Sequence, residues 1–147
     1  MSAVQATTTR DRPWHLWVIG SIGVLWSLMG LVSYVLTQVN VEAIMSEFPP
    51  RQRAYFASFP LWADAFWGLG VFGGAIGCLL LLLGHRLAFP VLLAATIGTI
   101  VSTLGGLFLL GGMDVMRETG GVGLTLVPVI VAVLLAAYAR ASQRSPD

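Results

Sequence analysis

An acidic residue, Asp64, lies between Trp62 and Trp67 in the segment PLWADAFWG. Tryptophan rings offer stacking surfaces and a carboxylate can orient a polar ligand, so the three residues could form a ligand site. Two tyrosines complete the set of candidate ligand or partner contacts: Tyr55 in the aromatic stretch just before this segment, and Tyr34 near the end of the first apolar run.

Asp64 also has a structural explanation. It follows Pro60 by four residues, at the start of a long apolar run. A carboxylate in the first turn of a helix is stabilised by the free N–H groups and the helix dipole, by about 0.3 to 1 kcal/mol. Because ionisable groups in membrane segments are functional candidates by default, ligand binding and proton coupling stay open beside this explanation.

Other chemistry is poorly represented. The sequence has no nucleophile–base–acid set, no phosphate-binding glycine loop and no HExxH motif, so we predict that the protein is not an enzyme. Cys78 is the single cysteine, which excludes an intramolecular disulfide and CxxC redox chemistry. His15 and His85 have no carboxylate or thiolate beside them, so we expect neither a metal nor another cofactor.

Composition places the elements that carry these residues in a membrane. Of the 147 residues, 56% are hydrophobic and only 10% are charged, against roughly 25% charged in soluble domains. Four apolar runs are long enough to cross a hydrocarbon layer of about 30 Å: residues 14–36, 61–83, 87–110 and 122–139. We predict an all-α, antiparallel up-down bundle of four transmembrane helices, forming one domain over residues 14–140 between flexible tails at 1–13 and 141–147.

The connection over residues 37–60 is unlike the others, which are short. Apolar residues recur at helical spacing after the first run, so the first helix is expected to extend beyond the lipid. Pro49 and Pro50 should end it, and residues 51–58 then predict a short interfacial helix with Tyr55 and Phe56 on one side.

Small residues line one face of the first two runs, where they allow close helix packing. Those of the first run are expected to meet those of the second, although a homodimer seam or a substrate groove would use the same pattern. The candidate packing residues are Gly23, Ser27, Gly30, Gly70, Gly73, Gly74 and Gly77.

The third run carries a stripe of hydroxyl residues, namely Thr96, Thr99, Ser102 and Thr103. Hydroxyls in helices can bond to a carbonyl one turn earlier and need no outside partner. A solute pathway built on this stripe is the alternative.

The net charge of +1 and the scattered arginines predict no nucleic-acid binding. Five arginines fall on the side of the termini and three on the other, which favours cytoplasmic termini in a bacterial inner membrane.

Four segments resemble a group of small four-span proteins of proteobacterial inner membranes that are often named sugar transporters: RPWHLWVIGSIGVLWSLMG, YVLTQ, AYFASFPLWADAFWGLGVFGG and CLLLLLGHRLAFPV. The resemblance covers roughly residues 12–105, and its most specific part is the YFxSFPxWA pattern. It implies a transporter of sugar-like solutes. An apolar residue is usual in the group where this chain has Asp64, which counts against a shared coupling role there.

Three functional hypotheses follow. We favour a non-enzymatic membrane module or accessory subunit, whose partners are the lipid bilayer and either further copies or a larger membrane complex. The alternative is a small-solute transporter acting as an oligomer. A quinone-associated redox subunit is the third.

Overall fold

The computed structural model describes residues 12–39 and 42–144, and within these ranges every regular element is helical. The described residues form seven helices: α1 Trp14–Gln38, α2 Glu42–Met45, α3 Pro50–Ala57, α4 Leu61–Leu82, α5 Ala88–Leu109, α6 Gly112–Glu118 and α7 Val122–Arg144. The predicted all-α fold with four long apolar helices and a short helix after the first is confirmed.

The four long helices, α1, α4, α5 and α7, have the length and hydropathy of membrane spans. Each has 22 to 25 residues and is therefore about 33 to 38 Å long, enough to cross the hydrocarbon layer. The protein is an integral membrane protein.

The spans pack in the order α1, α4, α5, α7, each antiparallel to its neighbours. The start of α1, the α4–α5 turn and the end of α7 therefore lie at one end of the bundle, here called the terminal end. Helices α2, α3 and α6 lie at the other, here called the loop end.

Glycines bring α4 and α5 close together. A methyl group at Gly98 would lie 2.8 Å from Phe66 O and 3.0 Å from Gly70 N, and one at Gly73 would lie 3.0 Å from Ala95 Cβ. Gly77 likewise faces Leu92, and Gly70 faces Thr99. The expectation that this glycine row meets α1 is therefore wrong for Gly70, Gly73 and Gly77, which lie against α5.

The α1–α4 contact uses other members of the predicted set. A methyl group at Gly74 would lie 3.4 Å from Ser27 Oγ, and one at Gly23 would lie 2.8 Å from Cys78 Sγ. Ser27 Oγ and Cys78 Sγ also form a buried hydrogen bond of 3.8 Å. A methyl group at Gly30 would meet no described atom within 4 Å, so Gly30 takes no part in close packing.

The ends of the spans differ from two sequence expectations. Helix α1 ends at Gln38 and α2 is a separate single turn over Glu42–Met45, whereas the sequence predicts one continuing helix. Residues 40 and 41 of the predicted extension lie outside the described residues. Helix α7 continues to Arg144 through residues expected to belong to a tail, and Gln143 Nε2 donates to His85 O there. The remaining predicted tails, residues 1–11 and 145–147, lie outside the described residues.

Candidate functional site

A cavity of about 600 Å³ lies between α1 and α7, with α4 and α5 behind it and α3 across its loop end. Helices α1 and α7 contact each other only toward the terminal end, in the described residues, and diverge from there. His15 Nδ1 and Tyr138 OH are 2.6 Å apart, and Gly23 approaches Leu135. In the described part of the chain, these two helices do not pack along each other beyond that. The space between them forms the cavity.

The lining combines aromatic rings, hydroxyl groups and small apolar residues from six helices. The aromatic members are Trp26, Phe48, Tyr55, Phe56, Phe59 and Trp67, and the hydroxyl members besides Tyr55 are Ser27, Ser33, Thr96, Thr99, Ser102, Thr103 and Thr125. None of the described lining residues is acidic or basic. Such a lining suits an uncharged solute, because an ion would lose its hydration without gaining an opposite charge.

Helix α3 closes the loop end through a tyrosine held in a glycine notch. The Tyr55 hydroxyl lies where methyl groups at Gly106 and Gly112 would stand, and Gly111 makes the α5–α6 corner with φ +73°. Arg51 and Glu118 form an exposed ion pair between α3 and α6. Burial raises the pKa of Tyr55 to about 12, so the phenol is neutral at physiological pH.

An aromatic group stands directly beneath α3. The Trp67 ring lies 6.2 Å from Phe56 with an interplanar angle of 27°, and 6.3 Å from Phe59. Tyr34 supports Trp67 from α1 by an edge contact at 5.0 Å. The indole is therefore held by rings from two other segments, which fixes its orientation before any ligand arrives.

Most hydroxyls of the α5 stripe are already hydrogen-bonded. Thr96 Oγ1 donates to Leu92 O at 2.7 Å and approaches Ala132 O of α7 at 3.1 Å, and Thr99 Oγ1 donates to Ala95 O at 2.9 Å. Ser102 Oγ donates to Ala63 O of α4 at 3.2 Å. All four members of the predicted stripe line the cavity, and three of them also stabilise the helices.

Polar contacts join the helices at the terminal end. Arg12 Nη1 donates to Leu82 O at 2.8 Å, and Gln143 Nε2 donates to Arg86 O at 3.2 Å. With the His15–Tyr138 contact, these bonds connect α1, the α4–α5 turn and α7. These contacts hold the terminal ends of the spans together, and a buried apolar cluster that includes Cys78, Leu81 and Ala136 lies between them and the cavity.

The structure separates the five candidate ligand residues. Trp67 and Tyr55 line the cavity, whereas Asp64, Trp62 and Tyr34 are not among its lining residues. Trp62 packs its ring against Gly105 of α5. It is five residues from Trp67, so the two side chains point to different sides of α4 and only Trp67 reaches the cavity. Asp64 lies in the first turn of α4, half-buried, as the structural explanation predicts.

Two features of the site are not anticipated from the sequence. Residues of α7, including Thr125 and Pro128, form one wall, and Gly98 makes a close contact between α5 and the backbone of α4 behind the cavity. Pro128 inside an apolar helix is a visible signal, whereas nothing local distinguishes Gly98 from the other glycines. No group of three metal-ligating side chains occurs among the described residues.

Comparison with known proteins adds an independent observation. A 117-residue alignment covering 75% of this chain is 32% identical to the L-rhamnose-proton symporter of Enterobacter sp. (strain 638). Alignments of the same extent are 29% identical to proteins of that name from Shigella boydii and Escherichia coli. The chain is similar to L-rhamnose-proton symporters.

The similarity is partial in length. Each alignment covers 32% of the symporter, so the chain spans about a third of the curated relatives it matches. No protein-family model and no solved structure matches. The comparisons support a membrane protein like sugar transporters, and they favour the transporter hypothesis over the accessory module that the sequence alone suggested. Because these relatives are transporters, they also agree with a protein that is not an enzyme.

Proposed function

We propose that this protein binds a small, neutral, polyhydroxylated solute of the sugar class in the cavity and carries it across the membrane as part of an oligomer. The observation that carries the proposal is the lining itself: aromatic rings at one end, hydroxyls along one wall and no charged side chain among the described lining residues. Sugars have apolar C–H faces and hydroxyl edges, and this lining offers both kinds of contact.

The size of the cavity fits the proposal. Small-molecule sites commonly have volumes of about 300 to 1,000 Å³, and this one has about 600 Å³. Its position also fits, because the lining reaches Trp26 near the middle of α1 and Ala132 near the middle of α7, and transporters bind their solutes near the middle of the membrane.

The opening between α1 and α7 supports the proposed oligomer. Transporters place the solute between two sets of helices, and here α1 and α7 stand apart with one set behind them. A second copy facing the opening would enclose the cavity.

Uptake by reconstituted vesicles tests the proposal. Liposomes containing the protein should take up radiolabelled L-rhamnose faster than empty liposomes. Uptake is measured both with and without an inward proton gradient. Gly30→Leu should block uptake, because Gly30 lines the cavity and has open space around it. Val32→Leu on the exposed face of α1 is the matched control. Vesicles no more permeable than empty ones would refute transport of this sugar class.

We also propose cytoplasmic termini and a bacterial inner-membrane location. Arg12, Arg86, Arg140 and Arg144 lie at the terminal end, and Arg51, Arg53 and Arg117 lie at the loop end. This modest bias supports the orientation under the positive-inside rule. A C-terminal reporter active only in the periplasm would contradict it.

A further inference from the structure

We infer that Ser33, Trp67 and Thr103 form the solute-recognition layer of the cavity, with the remaining serine and threonine hydroxyls of the lining serving the fold. This inference rests on the proposed function and names the residues that would determine specificity within it. It depends on two observations: the depth of these residues in the bundle and the hydrogen bonds that their neighbours already make.

The three residues lie at one level. Ser33 is five residues from the loop end of α1, and Trp67 and Thr103 are each six residues from the loop ends of α4 and α5. At about 1.5 Å per residue, all three stand roughly 8 to 9 Å inside the spans. All three line the cavity, from three different helices.

Their polar groups are free. The hydroxyls of Ser33 and Thr103 and the indole N–H of Trp67 make no hydrogen bond to a described residue, whereas Thr99 donates to Ala95 O and Thr125 donates to Gly121 O. A hydroxyl donor already bonded to its own helix is not available as a donor to a ligand. Donors and acceptors that are not already bonded within the protein are the groups that give a ligand its orientation and specificity.

The layer is also preorganised. Phe56 and Phe59 lie against Trp67 on the loop side and Tyr34 supports it from α1, so a solute entering this level meets a fixed aromatic surface. Ser33 and Thr103 supply hydroxyls from the helices on either side of α4. A sugar ring with one apolar face and several hydroxyls can stack on Trp67 and hydrogen-bond to Ser33 and Thr103 at the same time.

Kinetics of L-rhamnose uptake by single variants test this assignment. Ser33→Ala, Thr103→Val and Trp67→Phe should each raise KM about five- to tenfold, as expected for the loss of one hydrogen bond to a solute, with little change in the maximal rate. Thr119→Val is the matched control: Thr119 lies outside the cavity lining and its hydroxyl bonds to Val115 O of α6, so KM should stay within about twofold.

The outcomes separate the two proposals. A wild type without uptake refutes the proposed function. A wild type with uptake whose KM is unchanged by Ser33→Ala and Thr103→Val refutes the recognition layer alone, as does an equal effect of Thr119→Val. Thermal unfolding of each variant in detergent checks folding; should Trp67→Phe be unstable, the two hydroxyl variants, which remove little volume, decide the question.

Discussion

Gly98 and Gly74 are both glycines inside transmembrane helices, but their surroundings differ. A methyl group at Gly98 would meet backbone atoms of α4, Phe66 O at 2.8 Å and Gly70 N at 3.0 Å, which cannot rotate away. At Gly74 it would meet only Ser27 Oγ at 3.4 Å, an ordinary contact distance. Space for one carbon atom therefore exists at one position and not at the other.

We expect Gly98→Ala to destabilise the protein by about 1 to 3 kcal/mol, because α4 and α5 must move apart to admit the methyl group. Gly74→Ala should be neutral or stabilise by up to about 1 kcal/mol, because alanine is the better helix former. Unfolding of both variants in mixed micelles, followed by circular dichroism, measures the difference. Equal stabilities would contradict the close backbone contact.

Tyr55 gives the protein a defined dependence on alkaline pH. Its folded pKa of about 12 lies above the ordinary value of 10, because burial disfavours the phenolate. The stability that neutral Tyr55 contributes is therefore complete below pH 10 and is lost as the pH rises toward 12. The thermal midpoint of the wild type should fall over this interval more steeply than that of Tyr55→Phe. Parallel profiles would show that other groups cause the alkaline loss.

At the scale of elements, α3 is held mainly by α6. The two helices contact each other through the glycine notch and the Arg51–Glu118 pair. Both charged side chains are more than half exposed, so the ion pair should contribute well under about 1 kcal/mol to stability. Its expected role is to restrict where α3 lies over the cavity.

A charge exchange tests that role. Arg51→Glu or Glu118→Arg alone places like charges together and should expose α3 to limited proteolysis, whereas the double exchange should restore protection. High salt should weaken the difference, because exposed charges are screened. Equal protease sensitivity in the single and double variants would exclude a specific pair.

The sequence predicts the extents of the helices better than the contacts between them. The spans are predictable within a few residues because lipid admits only hydrogen-bonded helices of sufficient apolar length. The helix that Gly70, Gly73 and Gly77 contact is not predictable, because small residues occur on more than one side of α4 and both α1 and α5 pack against it. Trp67 and Tyr55 are identifiable as candidates by residue type, but their separation from Asp64 depends on helix packing that no local pattern contains.

On the scale of the whole molecule, the open wall between α1 and α7 predicts contact between copies. Oxidative crosslinking of Met29→Cys, which lies in that opening and is 61% exposed, should give a covalent dimer in native membranes. Phe108→Cys, 68% exposed on α5 and outside the cavity lining, should not. Native Cys78 is fully buried and should not interfere. Dimers from Phe108→Cys alone would place the contact on another face.

The beginning of α1 and the end of α7 share one end of the bundle, since residues 12–144, as far as they are described, contain four spans. Two copies joined head to tail by a short hydrophilic linker would consequently insert in the same direction. Activity of this tandem fusion would indicate that the two protomers are parallel. Activity only when an additional transmembrane helix is inserted between the copies would indicate that they are antiparallel. Because four spans put the start of α1 and the end of α7 on the same side of the membrane, the activity of such fusions reports the relative orientation of the two protomers.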